Sequence, residues 1–82
     1  MKLVFNDYTE EDLIYVYSLS FSHTIRTTLN NKNISSISES SIYNYIYKVL
    51  NHLSSRLIIE IFDATIVLLK SNSSINIISN YN

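Results

Sequence analysis

Residues 38–70 read SESSIYNYIYKVLNHLSSRLIIEIFDATIVLLK, and the fold turns on how this run is divided. In its first half Ile42, Tyr45, Ile46, Val49, Leu50 and Leu53 recur at alternating steps of three and one, the pattern of a one-sided helix. Ser38 is a natural N-cap, and Glu39 places a carboxylate against the positive end of the helix dipole. The spacing predicts a helix over Glu39–Leu53, with His52 in its last turn. After Ser54-Ser55 the period shortens towards 2. RLIIEIF and TIVLLK, both rich in β-branched residues, flank Asp63-Ala64, which predicts a β-hairpin over Leu57–Lys70. Asp suits such a turn, whereas Ala stands where a glycine is expected, so the loop should be longer or distorted.

Working outward towards the amino terminus, Thr9-Glu10-Glu11-Asp12 approximates a capping box and predicts a first helix over Glu10–Ser20. Leu13, Val16, Tyr17 and Ser20 share one face of it, with Ile14 and Phe21 at the edges. TIRTTLNNKN (24–33) follows, where Ile25 and Leu29 fit a short second helix ending in the Asn30–Asn33 turn. Ile25, Thr27 and Leu29 also alternate, which fits a hairpin leading to Ile34 instead. At the extremes, KLVFN (2–6) reads as a short strand or extended lead-in. SNSSINIISNYN (71–82) holds one apolar patch, Ile75, Ile77 and Ile78, suited to a last strand or a short helix. A single domain over residues 1–79 with a frayed tail at 80–82 is expected.

An 82-residue chain has room for one modest core, and 46% hydrophobic against 16% charged residues excludes a disordered composition. No apolar run approaches the roughly 20 residues of a membrane span, and acids appear too early for a signal peptide. With no cysteine there are no disulfides, thiol chemistry or cysteine-held metals, and an intracellular location is the expectation. With no glycine there is no Gly-rich phosphate loop, and turns fall to Asn, Asp, Ser and Lys. Heavy use of Ile, Asn, Ser and Tyr fits an A/T-rich genome, such as that of a virus or a thermophilic archaeon. His23 and His52 are the only histidines, lack ligand-like spacing, and no Ser sits in a nucleophile-elbow sequence. No enzyme, metal or cofactor is expected.

Net charge is −1 but unevenly spread: Asp7, Glu10, Glu11 and Asp12 crowd the start beside Lys2. Arg26, Lys32, Lys48, Arg56 and Lys70 then outnumber Glu39, Glu60 and Asp63.

The predicted order of helix, helix, longer helix and hairpin resembles a winged helix-turn-helix domain. ISESSIYNYI (37–46) looks like the turn and start of a recognition helix, and Val49-Leu50 through Leu57–Ile61 like its exit into the wing. The likeness runs from Leu13 to Lys70 and implies an α+β, mainly α fold of three helices followed by a β-hairpin. It further implies a small DNA-binding protein, a transcriptional regulator or genome-associated factor, acting as a homodimer on double-stranded DNA. The third helix would enter the major groove, presenting Ser40, Ser41, Tyr43, Asn44 and Tyr47, with Lys48 against the backbone. Arg26, Lys32, Arg56 and Lys70 would supply further phosphate contacts, while Tyr45 would turn into the core. Ser54-Ser55 replaces the glycine usual before the wing, the recognition helix carries few bases, and the stretch from helix 2 to the hairpin is slightly long.

A second class of function follows from near-neutral charge and exposed tyrosines: a non-catalytic subunit that binds another protein, as winged-helix domains also do. If Thr24–Ser38 were a hairpin, the chain would instead resemble the small dimerising subunits of the KEOPS tRNA-modification complex, leaving the hairpin at Leu57–Lys70 surplus.

Overall fold

A computed structural model describes residues 9–71 and 75–79. It is mainly helical: α1 (Glu10–Asn31), β1 (Ser36–Ser38), α2 (Glu39–Leu50), α3 (Ser55–Ser71) and β2 (Asn76–Ile78). The expected lead-in strand at Lys2–Asn6 and the tail at 80–82 lie outside the described residues.

α1 starts at a reciprocal capping box. Asp12 N–H donates to Thr9 Oγ1, and Thr9 N–H donates to Asp12 Oδ2, both at 3.1 Å. The expected break after Ser20 does not occur, so the two predicted helices are one. Nothing between Ser20 and Thr24 breaks a helix, and Phe21, Ile25 and Leu29 continue a buried i, i+4 stripe. The extended alternative for Thr24–Asn33 is overturned with it, because Thr24–Asn31 is helical. The helix ends on a Schellman turn: Ile34 N–H bonds Leu29 C=O, Asn33 N–H bonds Asn30 C=O, and Asn33 takes a φ of 57°. Asn fills the left-handed position that glycine usually takes.

The buried face of α1 is also rotated from the expected one. Val16 and Ser20 are exposed, whereas Ser18 and Ser22 are buried, their hydroxyls donating to Tyr15 C=O and Leu19 C=O at 3.0 Å. A serine that bonds its own helix can be buried without an orphan donor, which apolar spacing does not register.

α2 keeps the expected start, with Ser41 N–H donating to Ser38 Oγ, but stops at Leu50; Leu53 then turns back to bond Leu50 C=O. The hairpin expected over Leu57–Lys70 is overturned, because this stretch lies in one helix, α3. Leu57, Ile58, Ile61, Thr65, Ile66 and Leu69 form its buried face at helical spacing, and the fully buried Thr65 hydroxyl donates to Ile61 C=O at 2.7 Å. Ser54 Oγ accepts Leu57 N–H at the start, and Arg56 pairs with Glu60 one turn on. β-branched side chains cost a helix only tenths of a kcal/mol each, roughly, and a continuous buried face outweighs that.

Arg56 meets Glu10 at one end of the molecule and Arg26 meets Leu68 at the other, so α1 and α3 run side by side in the same direction. α2 packs across both in the opposite sense, Tyr45 edge-on to Phe21 and Tyr43 edge-on to Phe62. Ile42, Ile46, Leu50, Ile58, Ile61 and Leu69 are fully buried between the three helices. At the end where α1 and α3 finish, β1 and β2 pair in parallel, Ile37 opposite Ile77, and tie the α1–α2 connection to the segment after α3. Ile37, Ile75 and Ile77 close the base of the core.

Candidate functional site: two outward faces

The residues expected to touch DNA are divided by this fold. Ser41, Asn44 and Lys48 fall at i, i+3 and i+7 on the outward side of α2, and all three are exposed. Tyr47 is half exposed and stacks on Tyr43 with ring centroids 6.2 Å apart. Tyr43 itself is half-buried against Phe62, whereas Tyr45, expected in the core, stands at the surface with its ring edge-on to Phe21. Ser40 is half-buried, its Oγ 3.2 Å from Ser38 Oγ, and belongs to the helix start.

The bases do not gather around α2. Arg26 is half-buried and turns inward, its Nη2 donating to Leu68 C=O at 2.9 Å, while its Nε is buried with no hydrogen-bond partner. It therefore supports the last turn of α3, where carbonyls lack helical partners. Arg56 donates from Nη2 to both carboxylate oxygens of Glu10 and from Nη1 to Glu60. The hydrogen bond to Glu10, then that to Glu60, then the Glu10 charge raise the guanidinium pKa above its ordinary value. Lys32 caps the end of α1, and Lys70 lies exposed in the last turn of α3. Arg26, Lys32 and Lys70 thus cluster at the sheet end, Arg56 and Lys48 at the other.

A different surface emerges between α1 and α3. The helices leave an open groove of about 440 Å³ walled by Ile14, Tyr15, Val67 and Leu68 and floored by Ser18 and Ala64, with Glu11 at its mouth. Tyr15 is 65% exposed and Val67 64%, so two large apolar side chains stand as knobs beside a floor of small ones. On α1, Leu19 is one turn beyond Tyr15 and also exposed. A smaller apolar cavity of about 200 Å³ lies under Tyr45, between Ile25, Leu29, Ile37 and Ile42.

Sequence reasoning missed the groove because its α3 wall was read as a hairpin. Read as a helix, residues 57–69 place Ala64, Val67 and Leu68 together beside the buried stripe, and that was the available signal.

His23 and His52 are both exposed, and among the described residues no three His, Asp or Glu side chains converge as a metal site would require. No helix of the described residues is long and apolar enough to cross a membrane. No family model, no curated protein and no solved structure matches this chain.

Proposed function

We propose that this chain is a non-catalytic protein-interaction module that docks through the groove between α1 and α3. The observation that carries the reading is the pairing of Tyr15 and Val67, both well exposed, with the small-residue floor of Ser18 and Ala64. Large apolar groups held in water beside a shallow groove are what a protein surface covers on binding, and aromatic residues are enriched at the centres of such contacts. Electrostatics point the same way: Arg26 and Arg56 already serve internal partners.

The test uses the full chain carrying a photo-crosslinking phenylalanine analogue at Tyr15, with the same analogue at Asn44 on α2 as a control. Irradiation in an extract of the source cells should give discrete protein adducts from position 15 and few from position 44. Adducts from position 44 alone, or none from either, would overturn the reading.

A second reading keeps the winged-helix-like, DNA-binding expectation, favoured by the exposed row Ser41, Asn44 and Lys48 on α2. It has to manage without a wing at Leu57–Lys70, and with Lys48 as the sole base on that row. Fluorescence anisotropy with a short duplex across a salt series tests it: phosphate contacts give affinity that falls steeply as salt rises.

A further inference from the structure

We infer that the partner seated on the α1–α3 groove is a second copy of this chain, related by a two-fold axis that passes near Ser18 and Ala64 and sets the two helix pairs antiparallel. This rests on the docking reading above and names its occupant. Charge is the first argument. Because α1 and α3 run in the same direction, the face has opposite ends. Glu11 and Asp12 in the first turn of α1, with Glu60 on α3, make one end acidic, where Arg56 is shared between Glu10 and Glu60. Arg26 and Lys70 occupy the other end, with Lys32 just beyond the last turn of α1. Glu39 and Lys48 depart from this division but are on α2, which packs on the opposite side of the helix pair, while Asp63 stands near the groove centre. Helix dipoles, worth about half a charge per terminus, reduce the asymmetry without reversing it. A face with one acidic and one basic end is complementary to itself only when a copy is turned end for end, which a two-fold axis does.

Shape is the second argument. The groove centre, at Ser18 and Ala64, is level with the middle of α1 and of α3, and the knobs Tyr15 and Val67 lie on opposite helices on either side of it. Tyr15 is three residues from Ser18, about 5 Å along the axis. A two-fold operation through that centre therefore carries the Tyr15 of each copy past the other's floor, about 5 Å beyond Ser18 towards Leu19 and Ser22, so that the paired tyrosines flank the axis. The face is also large enough. α1 is roughly 33 Å long, and two helices packed side by side span about 20 Å, giving about 600 Å² per copy. That is the lower edge of specific interfaces, which fits a weak, concentration-dependent dimer.

Sedimentation velocity on the purified full chain, from a few to several hundred micromolar, should show a monomer–dimer equilibrium. Tyr15→Glu and Val67→Glu should each weaken it at least tenfold, and unchanged thermal melts at low concentration would confirm that the exposed substitutions leave the fold intact. A mixture of ¹⁴N- and ¹⁵N-labelled chains treated with a zero-length carbodiimide cross-linker should yield mixed-isotope links between Lys70 and Glu60, Glu11 or Asp12. Within one chain Lys70 lies roughly 15 Å or more along the helix pair from each of these carboxylates, beyond the reach of such a link. A monomer at all concentrations, a dimer indifferent to both substitutions, or mixed-isotope links elsewhere only would overturn the proposal. A pure monomer whose position-15 photo-adduct holds a different protein overturns the self-association alone. Absence of any adduct at position 15 overturns the docking reading as well.

Discussion

The groove between α1 and α3 and the outward side of α2 are both solvent-facing helical surfaces, yet they are built differently. The α2 side centres on Ser41, Asn44 and Lys48, polar groups that water satisfies, with Tyr45, Tyr47 and Val49 partly exposed around them and no groove between them. The groove holds Tyr15 and Val67 in water beside Ser18 and Ala64, at a cost in exposed apolar area that the folded chain does not recover by itself. A polar surface is the default state of an exposed helix face, whereas an apolar one lining a groove is the kind of surface that a partner covers.

The largest effect expected on either side lies beneath the groove. Ile61 is fully buried in α3, so Ile61→Ala should cost about 2–5 kcal/mol of stability. Val67→Ala, six residues on and on the exposed rim, should stay within about 0.5 kcal/mol while still weakening self-association. Urea unfolding of the two variants measures the contrast. Equal losses would mean that Val67 is core, and that the groove is part of the packing instead of a surface.

Tyr43 comes next and bears on α2. It was expected to face DNA, yet it packs edge-on to Phe62 and beneath Tyr47. Tyr43→Ala should therefore destabilise by about 2 kcal/mol, through lost apolar area and lost ring contacts. A neutral result in thermal or urea unfolding would return Tyr43 to the surface and restore a larger α2 face.

The sequence made some of this legible and hid the rest for definite reasons. Caps are local, so Thr9 with Asp12, Ser38 before α2, and an Asn-based turn near residue 33 could be read from neighbours in the chain. The buried positions Ile42, Ile46 and Leu50 followed from helical spacing. α3 was hidden because Ile58, Ile59, Ile61, Thr65, Ile66 and Val67 are residue types favoured in strands, and what selects helix for them is the buried face offered by α1 and α2, a tertiary effect. The candidate groove was lost with α3, since it exists only where two helices distant in sequence run side by side. Arg26 and Arg56 looked like phosphate contacts because Leu68 and Glu10 are 42 and 46 residues away in sequence, and Glu60 comes beside Arg56 only once α3 is a helix.

Arg26 gives a smaller effect at the basic end of the groove. Arg26→Met retains the apolar stem but removes the guanidinium that bonds Leu68 C=O. A charged hydrogen bond is worth about 1.5–3 kcal/mol, but here Ser71 Oγ also serves that carbonyl and removal relieves the unpartnered Nε, so the net loss should be about 1 kcal/mol. The loss should appear as faster amide exchange in the last turn of α3, with the start of α3 unaffected. Exchange raised equally at both ends would mean that Arg26 acts on the whole helix pair.

The smallest effects are expected on α2, and they put the comparison most directly at risk. Asn44→Ala and Lys48→Ala remove groups for which water is an adequate substitute, so each should change stability by less than about 0.5 kcal/mol and leave self-association unaltered. In duplex-binding titrations the parent chain should show little affinity at moderate salt, and Lys48→Ala should change nothing. If instead the chain binds a duplex, and Lys48→Ala lowers the slope of log affinity against log salt by about 1, Lys48 contacts a phosphate. The polar surface of α2 would then be functional and not merely solvated, and the groove would serve to join two such surfaces across the two-fold axis. That outcome would leave the physical contrast between the faces standing and reassign what each of them does.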